Sequence, residues 1–236
     1  MRRQEFQYGL RDGVPIAAGY FSVSFSFGIM ALGGGLSIFQ AALTSLTNMT
    51  SAGQFAGLQI IIAGGTLLEM AATQLIINLR YALMSLSLSQ KLSKDVTLWQ
   101  RFVIAFANTD EIFAVAMSHQ RELTFSYIIG LQILPIVGWT AGTACGAAAG
   151  SMLPAAVNSA LSVALYGMFL AVVIPAAKKA RPVLITALLA AALSCILYYV
   201  PWFSGVSAGM SIILCTVVAS LFGAVVFPVS EEGGDK

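Results

Sequence analysis

Charge is what this chain has least of. Only 9% of its 236 residues are Asp, Glu, Lys or Arg, where a soluble domain carries about 25%. No charged residue occurs from Gly13 to Leu68, from Leu123 to Ala177 or from Pro182 to Ser230. With 58% hydrophobic residues, such runs exclude a soluble fold and read as membrane spans of about 20 residues each. A net charge of +2 is too small to point to nucleic acid. There is one histidine, His119, and three cysteines, Cys145, Cys195 and Cys215, all in apolar runs. That set has no metal-ligand spacing and no even disulfide count. No H-E-x-x-H, nucleotide loop or metal cluster occurs, so neither cofactor nor metal is expected. The start, MRRQEFQYGLRDG, lacks the short apolar core and small-residue cleavage site of a signal peptide.

What is present is apolar and helical in pattern. The runs divide into eight expected spans at about 14–36, 39–63, 66–90, 102–118, 125–150, 154–177, 182–200 and 206–227, or seven if the third stops near Arg80. The fold class is an all-α polytopic membrane protein in a single membrane domain. With the N-terminus cytoplasmic, eight crossings put Arg2, Arg3, Arg11, Arg121, Lys178, Lys179, Arg181 and Lys236 inside. Lys91, Lys94 and Arg101 then lie outside, a bias that follows the positive-inside rule. Both termini are then cytoplasmic. A faint repeat at an offset of 114 residues pairs Gly28 with Gly142, Ser45 with Ser159 and Gly53 with Gly167. It suggests two parallel halves, 11–121 and 122–230, of four helices each.

Polar residues inside the spans mark the functional candidates. SLTNMTSAGQF places Asn48, Thr50, Ser51, Gly53 and Gln54 within the second span. A lipid-facing helix would not carry so many. The helix is expected to be discontinuous there, with Gly53 supplying backbone freedom, because broken backbone at membrane depth is tolerated where it lines a cavity. Interhelical hydrogen bonding is the competing reading. The Asn48-Met49-Thr50 sequon is a chance match at that depth. Gly142, Gly146 and Gly150 recur every fourth residue, a spacing that lets helices approach closely. GVSAG around Ser207 matches a hydrolase nucleophile pattern but lacks the strand–turn–helix elbow and base that chemistry requires.

Four charges stand inside the apolar runs: Glu69, Arg80, Asp110 and Glu111. Such residues are costly in the bilayer and mark partners or pathways. On one helix Glu69 and Arg80 share a face but stand about 16 Å apart along it, so each needs a partner elsewhere. Asp110 and Glu111, in the middle of the fourth span, are offered to Arg80. Asn48 and Gln54 are offered as well. Glu69 or the acid left unpaired is the candidate for a coupling proton. Lys91, in a polar link, is expected to be dispensable.

GYFSVSFSFGIMA, SAGQFA, INLRYALMS and NTDEIFAV, in this order and spacing, resemble the AzlC-type branched-chain amino acid permeases, over about residues 11–227. The resemblance implies the large subunit of a two-component exporter in the bacterial inner membrane. Its partner would be a small AzlD-type membrane subunit, and its substrates leucine, isoleucine, valine and sometimes methionine. It gives weight to Gly53, Gln54, Asn78, Arg80, Asp110 and Glu111. It implies a transporter, not an enzyme. The alternative is a channel or scaffold subunit whose partner carries the substrate. The exposed glycine face of 125–150 is the expected docking surface for the partner.

Overall fold

The structure is a computed structural model that describes residues 2–150, 152, 170, 173–175, 177–203 and 205–228. The expected span at 154–177, one of the four expected helices of the second half 122–230, lies largely outside these.

Among the described residues the chain is all-helical. Its helices are α1 (Arg2–Gly33), α2 (Ile38–Thr47), α3 (Ser51–Ile62), α4 (Leu67–Lys91), α5 (Leu98–Phe106), α6 (Asp110–Ser118), α7 (Phe125–Gly150), α8 (Arg181–Tyr199) and α9 (Ala208–Val226). Four of them, α1, α7, α8 and α9, are long and apolar enough to cross a membrane. Helix α4 is 25 residues long, about 37 Å, but Glu69, Gln74, Asn78 and Arg80 dilute its apolar character.

The chain forms two compact units, Met1–Leu58 with Asn78–Leu165, and Gln59–Ile77 with Tyr166–Lys236. The first is built on α1 and α7, which run parallel. Gly9 abuts Tyr127 and Leu131, a methyl on Gly138 would stand 2.6 Å from the Ala17 carbonyl, and Gly146 abuts Phe25. Glycines at Gly138, Gly142 and Gly146 place this seam backbone to backbone, as small residues do where membrane helices approach closely. The glycine face of α7 is therefore covered by α1. It is not the free docking surface the sequence suggested.

Two of the expected spans are not single helices. The span at 39–63 is α2 and α3, separated by Asn48, Met49 and Thr50. Asn48 leaves the helix in an extended conformation (φ −132°, ψ 97°), and the Thr50 hydroxyl accepts from the Gly53 N–H at 3.3 Å, capping α3. The break is thus made by side-chain capping. Gly53 lies inside α3, and the positive-φ glycines of the described residues are Gly35 and Gly64. Ser45 and Gln54, nine residues apart, hydrogen-bond to each other. On a straight helix they would stand about 13 Å apart along the axis, so the chain turns back at the break.

The span expected at 102–118 is broken too, a feature the sequence reading missed. Helix α5 ends at Phe106 and α6 begins at Asp110, with Ala107, Asn108 and Thr109 between. Both feet of this second hairpin stand at the C-terminal end of α4. Arg101 on α5 donates to the Ser89 carbonyl. Lys91 donates to the carbonyls of Ala116, Met117 and His119 at the end of α6. Residues 91–93 also pair with Leu123 through backbone hydrogen bonds. Lys91 is therefore a helix C-cap and not a dispensable link residue. Lys91, Lys94 and Arg101 share one end of the unit with Arg121, contrary to the expected split across the membrane. The N-terminal end of α1 lies there as well, since Asp12 accepts from the Tyr127 hydroxyl at 2.8 Å. Every Lys and Arg of this unit from Arg3 onward, except Arg80, gathers at that end.

The first hairpin enters from the opposite end. It follows the C-terminus of α1, and Ser45 meets Thr143 near the far end of α7. The two hairpins repeat each other at an offset of 60 residues. Ser37 and Gln40 form a capping box on α2, Thr97 and Gln100 form one on α5, and Asn48 and Asn108 occupy equivalent places in the breaks. In this unit α1 and α4 run antiparallel. Helix plus hairpin is thus repeated upside down within the unit.

In the second unit, Glu69 caps α9. Its Oε1 accepts from the Gly209 N–H at 2.8 Å and from the Ser207 hydroxyl. A carboxylate at a helix N-terminus meets the positive end of the helix dipole. Ser207 is itself the N-cap, accepting from the Met210 N–H. A methyl on Gly209 would stand 2.6 Å from Glu69. GVSAG is therefore a helix start that needs a small residue.

Candidate functional site

The tips of the two hairpins meet in the middle of the first unit. Between them is a cavity of about 190 Å³, lined by Thr47, Asn48, Met49 and Thr50 of one tip, Ala105, Phe106, Asn108 and Thr109 of the other, and Asn78 and Tyr81 of α4. A water molecule takes about 30 Å³ of liquid, so the space suits a ligand of a few heavy atoms rather than a drug-sized one. Met49, Ala107 and Trp139 pack beneath it, with Tyr20 alongside.

Of the residues singled out in the sequence, Asn48, Thr50 and Asn78 line this cavity. The Thr50 hydroxyl donates to Asn78 Oδ1 at 2.8 Å, tying the first tip to α4. Ser51 begins α3. Gln54 lies behind the tip, 1% exposed, with both amide atoms engaged. Its Oε1 accepts from the Trp139 indole at 2.8 Å and its Nε2 donates to Ser45. Ser45 in turn meets Thr143, whose hydroxyl reaches the Ser24 carbonyl. This closed chain fixes the first hairpin to α1 and α7.

The charges divide. Arg80 Nη1 stands 2.5 Å from Asp110 Oδ2, each side chain about half exposed. Arg80 also lies over the Tyr81 ring. Glu111 takes a different partner. The Tyr20 hydroxyl sits 2.5 Å from Thr109 Oγ1 and 2.6 Å from Glu111 Oε2. With one proton to give, it donates to the carboxylate and accepts from the threonine. Glu69 belongs to the second unit, where it caps α9. Asp110 and Glu111 were expected in mid-helix; they open α6, where acids complement the helix dipole. Asn-Thr-Asp-Glu is a helix-start signature, and that signal could have exposed the second break.

Asn108 was not singled out in the sequence. It is 4% exposed, and its Nδ2 donates to Ser85 at 3.0 Å. Its Oδ1 is buried without a hydrogen-bond partner. An orphaned buried acceptor is unusual and calls for an explanation.

The AzlC protein family model matches residues 15–153, the stretch that holds the second part of α1 from Pro15 onward, both hairpins, α4 and α7. An uncharacterized membrane protein of Archaeoglobus fulgidus is 34% identical over 174 residues, 72% of this chain and 75% of its own length. The inner membrane protein YgaZ of Escherichia coli is 29% identical over 80% of each chain. A Helicobacter pylori membrane protein, also uncharacterized, is 26% identical over 62% of this chain and 67% of its own. No solved structure matches. With the family model matching more than half of the chain and the Archaeoglobus fulgidus protein 34% identical over 72% of it, this chain belongs to the AzlC family of membrane proteins.

Proposed function

We propose that this chain is the large subunit of a proton-coupled, two-component exporter of branched-chain or related neutral amino acids such as methionine, working with a small AzlD-type subunit in the bacterial inner membrane. The observation that carries the reading is the cavity at the tips of two hairpins entering from opposite ends. Interrupted helices meeting near mid-depth offer backbone and side-chain groups to a polar ligand. Met49 and Phe106 offer an apolar wall to a branched side chain; Asn48, Thr50, Asn78 and Asn108 offer hydrogen bonds. Branched-chain specificity and the small subunit come from family resemblance.

The basic end of the first unit is the cytoplasmic one under the positive-inside rule, with both termini on that side. Glu111, the acid outside the ion pair, is the coupling group, facing Tyr20 and Thr109 with Arg80 and Asp110 alongside. Glu69 serves as a helix cap.

Labelled-leucine efflux from cells producing this chain with and without its small subunit tests the reading. Saturable, pH-dependent efflux that needs both subunits is expected. Non-saturable flux indifferent to pH would favour a channel, and undiminished efflux without the small subunit would remove the two-component model.

A further inference from the structure

We propose that a second cavity, at the basic end of the first unit, binds a phosphate group through Arg11 and Arg121, and that its occupant is the headgroup of an anionic phospholipid. The inference goes beyond the exporter reading and does not depend on what the tip cavity carries.

This cavity measures about 680 Å³ and is walled by α1, α6, the turn that follows α6, and α7. Small-molecule sites run to about 300–1,000 Å³, so it has room for a whole headgroup. Two arginines line it, Arg11 and Arg121, against one carboxylate, Asp12. That carboxylate already accepts from the Tyr127 hydroxyl at 2.8 Å. The His119 ring stacks on Tyr127 with centroids 4.4 Å apart, and both residues line the cavity.

What sets these two arginines apart is that the chain does not use their charge. Lys91 donates to carbonyls at the end of α6, and Arg101 to those of Val96 and Ser89. Among the described residues the ion pair is Arg80 with Asp110, and no acid stands at ion-pair distance from Arg11 or Arg121. The C-terminal end of α6 borders the cavity at Ser118 and His119, and a bare helix C-terminus repels an anion. Lys91 meets the carbonyls of Ala116, Met117 and His119 there, so the repulsion is answered from within the chain. The planar fork of an arginine matches paired phosphate oxygens. Pro15 and Val115 add apolar lining, which suits the glycerol end of a lipid and does nothing for a bare phosphate. Basic pockets between helices at the cytoplasmic surface take anionic headgroups in this way.

The test uses the full chain purified in detergent micelles. Native mass spectrometry measures its binding of phosphatidylglycerol and of phosphatidylcholine with the same acyl chains, and equilibrium dialysis measures its binding of labelled inorganic phosphate. Wild type is expected to prefer phosphatidylglycerol over phosphatidylcholine at least tenfold and to bind inorganic phosphate at least tenfold more weakly than the anionic lipid. Arg11→Gln with Arg121→Gln should abolish the lipid preference. Arg11→Lys with Arg121→Lys keeps the charge that orients the chain but not the forks, so it tests the site even where the glutamine pair fails to insert; it should lower the preference at least threefold. Lys94→Gln, a charge removed at the same end but outside the cavity, should leave it within twofold. An unchanged preference in the lysine pair, or a loss in Lys94→Gln as large as in the glutamine pair, would show diffuse surface charge and overturn the site. Inorganic phosphate bound as tightly as the lipid would overturn the lipid as its occupant. Leucine efflux enters none of these readings, so their failure and that of the exporter reading are separate.

Discussion

The two hairpins share a plan and differ in charge. Each opens with a Ser or Thr cap and a Gln three residues on, runs about ten residues, breaks at three residues that include an asparagine, and resumes as helix. The first tip is neutral, and Thr50 caps its second half. At the second tip Thr109 caps nothing, and the two acids meet the helix end instead. An inverted repeat sets where both tips lie, and substitutions at a few tip residues then divide the chemistry. One tip is neutral; the other carries two anions, of which Asp110 is answered by Arg80 of α4 and Glu111 by the Tyr20 hydroxyl.

The sharpest way to break this comparison is to strip the second tip of its cation. In Arg80→Ala, Asp110 loses its partner. The cost lies between the ~1 kcal/mol of an exposed pair and the ~3–5 kcal/mol of a desolvated one, since both side chains are about half exposed. Folded yield and leucine efflux are expected to fall together. Arg80→Ala with Asp110→Asn should recover the yield, because no lone charge is left. Equal yields for the single and double variants would show that the pair carries no structural weight.

The first tip depends on an uncharged network, so its most damaging substitution is Gln54→Leu. That change leaves the Trp139 N–H buried without an acceptor, worth about 1–3 kcal/mol. Trp139→Phe in the same chain removes the orphaned donor and should restore part of the loss, read as thermal stability in detergent. Additive losses would mean that Gln54 acts elsewhere.

Much of this was legible beforehand, and the misses have physical causes. Low charge and long apolar runs settle the class, because a bilayer excludes charge wherever it can. The break at Asn48 shows in its excess of polar residues. Its mechanism does not, since glycine and side-chain capping both interrupt a helix. The break at Asn108 was hidden because Phe102, Val103, Ile104 and Phe106 before it, and Ile112 and Phe113 after it, read as one apolar helix. With Asp110 and Glu111 read as mid-helix, the second hairpin counts as a crossing, which sends Lys91, Lys94 and Arg101 to the opposite end from Arg121. Partner choice was half visible. Arg80 needed an acid on another element and two adjacent ones were on offer, but only packing could separate them. Glu69 looked like a pathway charge because Ser207 and Gly209, over 130 residues away, carry no sign of being its partners.

Lys91 tests whether the second hairpin is anchored at its foot. Its amine meets three carbonyls at the end of α6, where a cation is worth about 0.3–1 kcal/mol and up to ~2 kcal/mol when partly buried. Lys91→Ala is expected to destabilise by that order and Lys91→Arg by less. Hydrogen exchange at Ala116 to Ser118 should rise in the alanine variant and stay unchanged in α3. A rise in both would mean that the hairpins are not independently held.

The smallest effect separates the two tips most directly. Thr50 and Thr109 both precede the second half-helix of their hairpins, yet only Thr50 gives its hydroxyl to the helix start. Loss of an N-cap costs about 1 kcal/mol. Thr50→Ala should therefore loosen the first turn of α3, while Thr50→Ser, which keeps the acceptor, should not. Thr109→Ala removes no cap. It takes away the hydroxyl that meets Tyr20 and leaves Tyr20 to Glu111 alone. Its stability should change less than that of Thr50→Ala, and its effect should appear in the pH dependence of efflux. Thermal melts and efflux across a pH series on the three variants decide the matter. If Thr109→Ala melts as low as Thr50→Ala and its pH profile is unchanged, the second threonine is a cap like the first and the two tips are chemically alike.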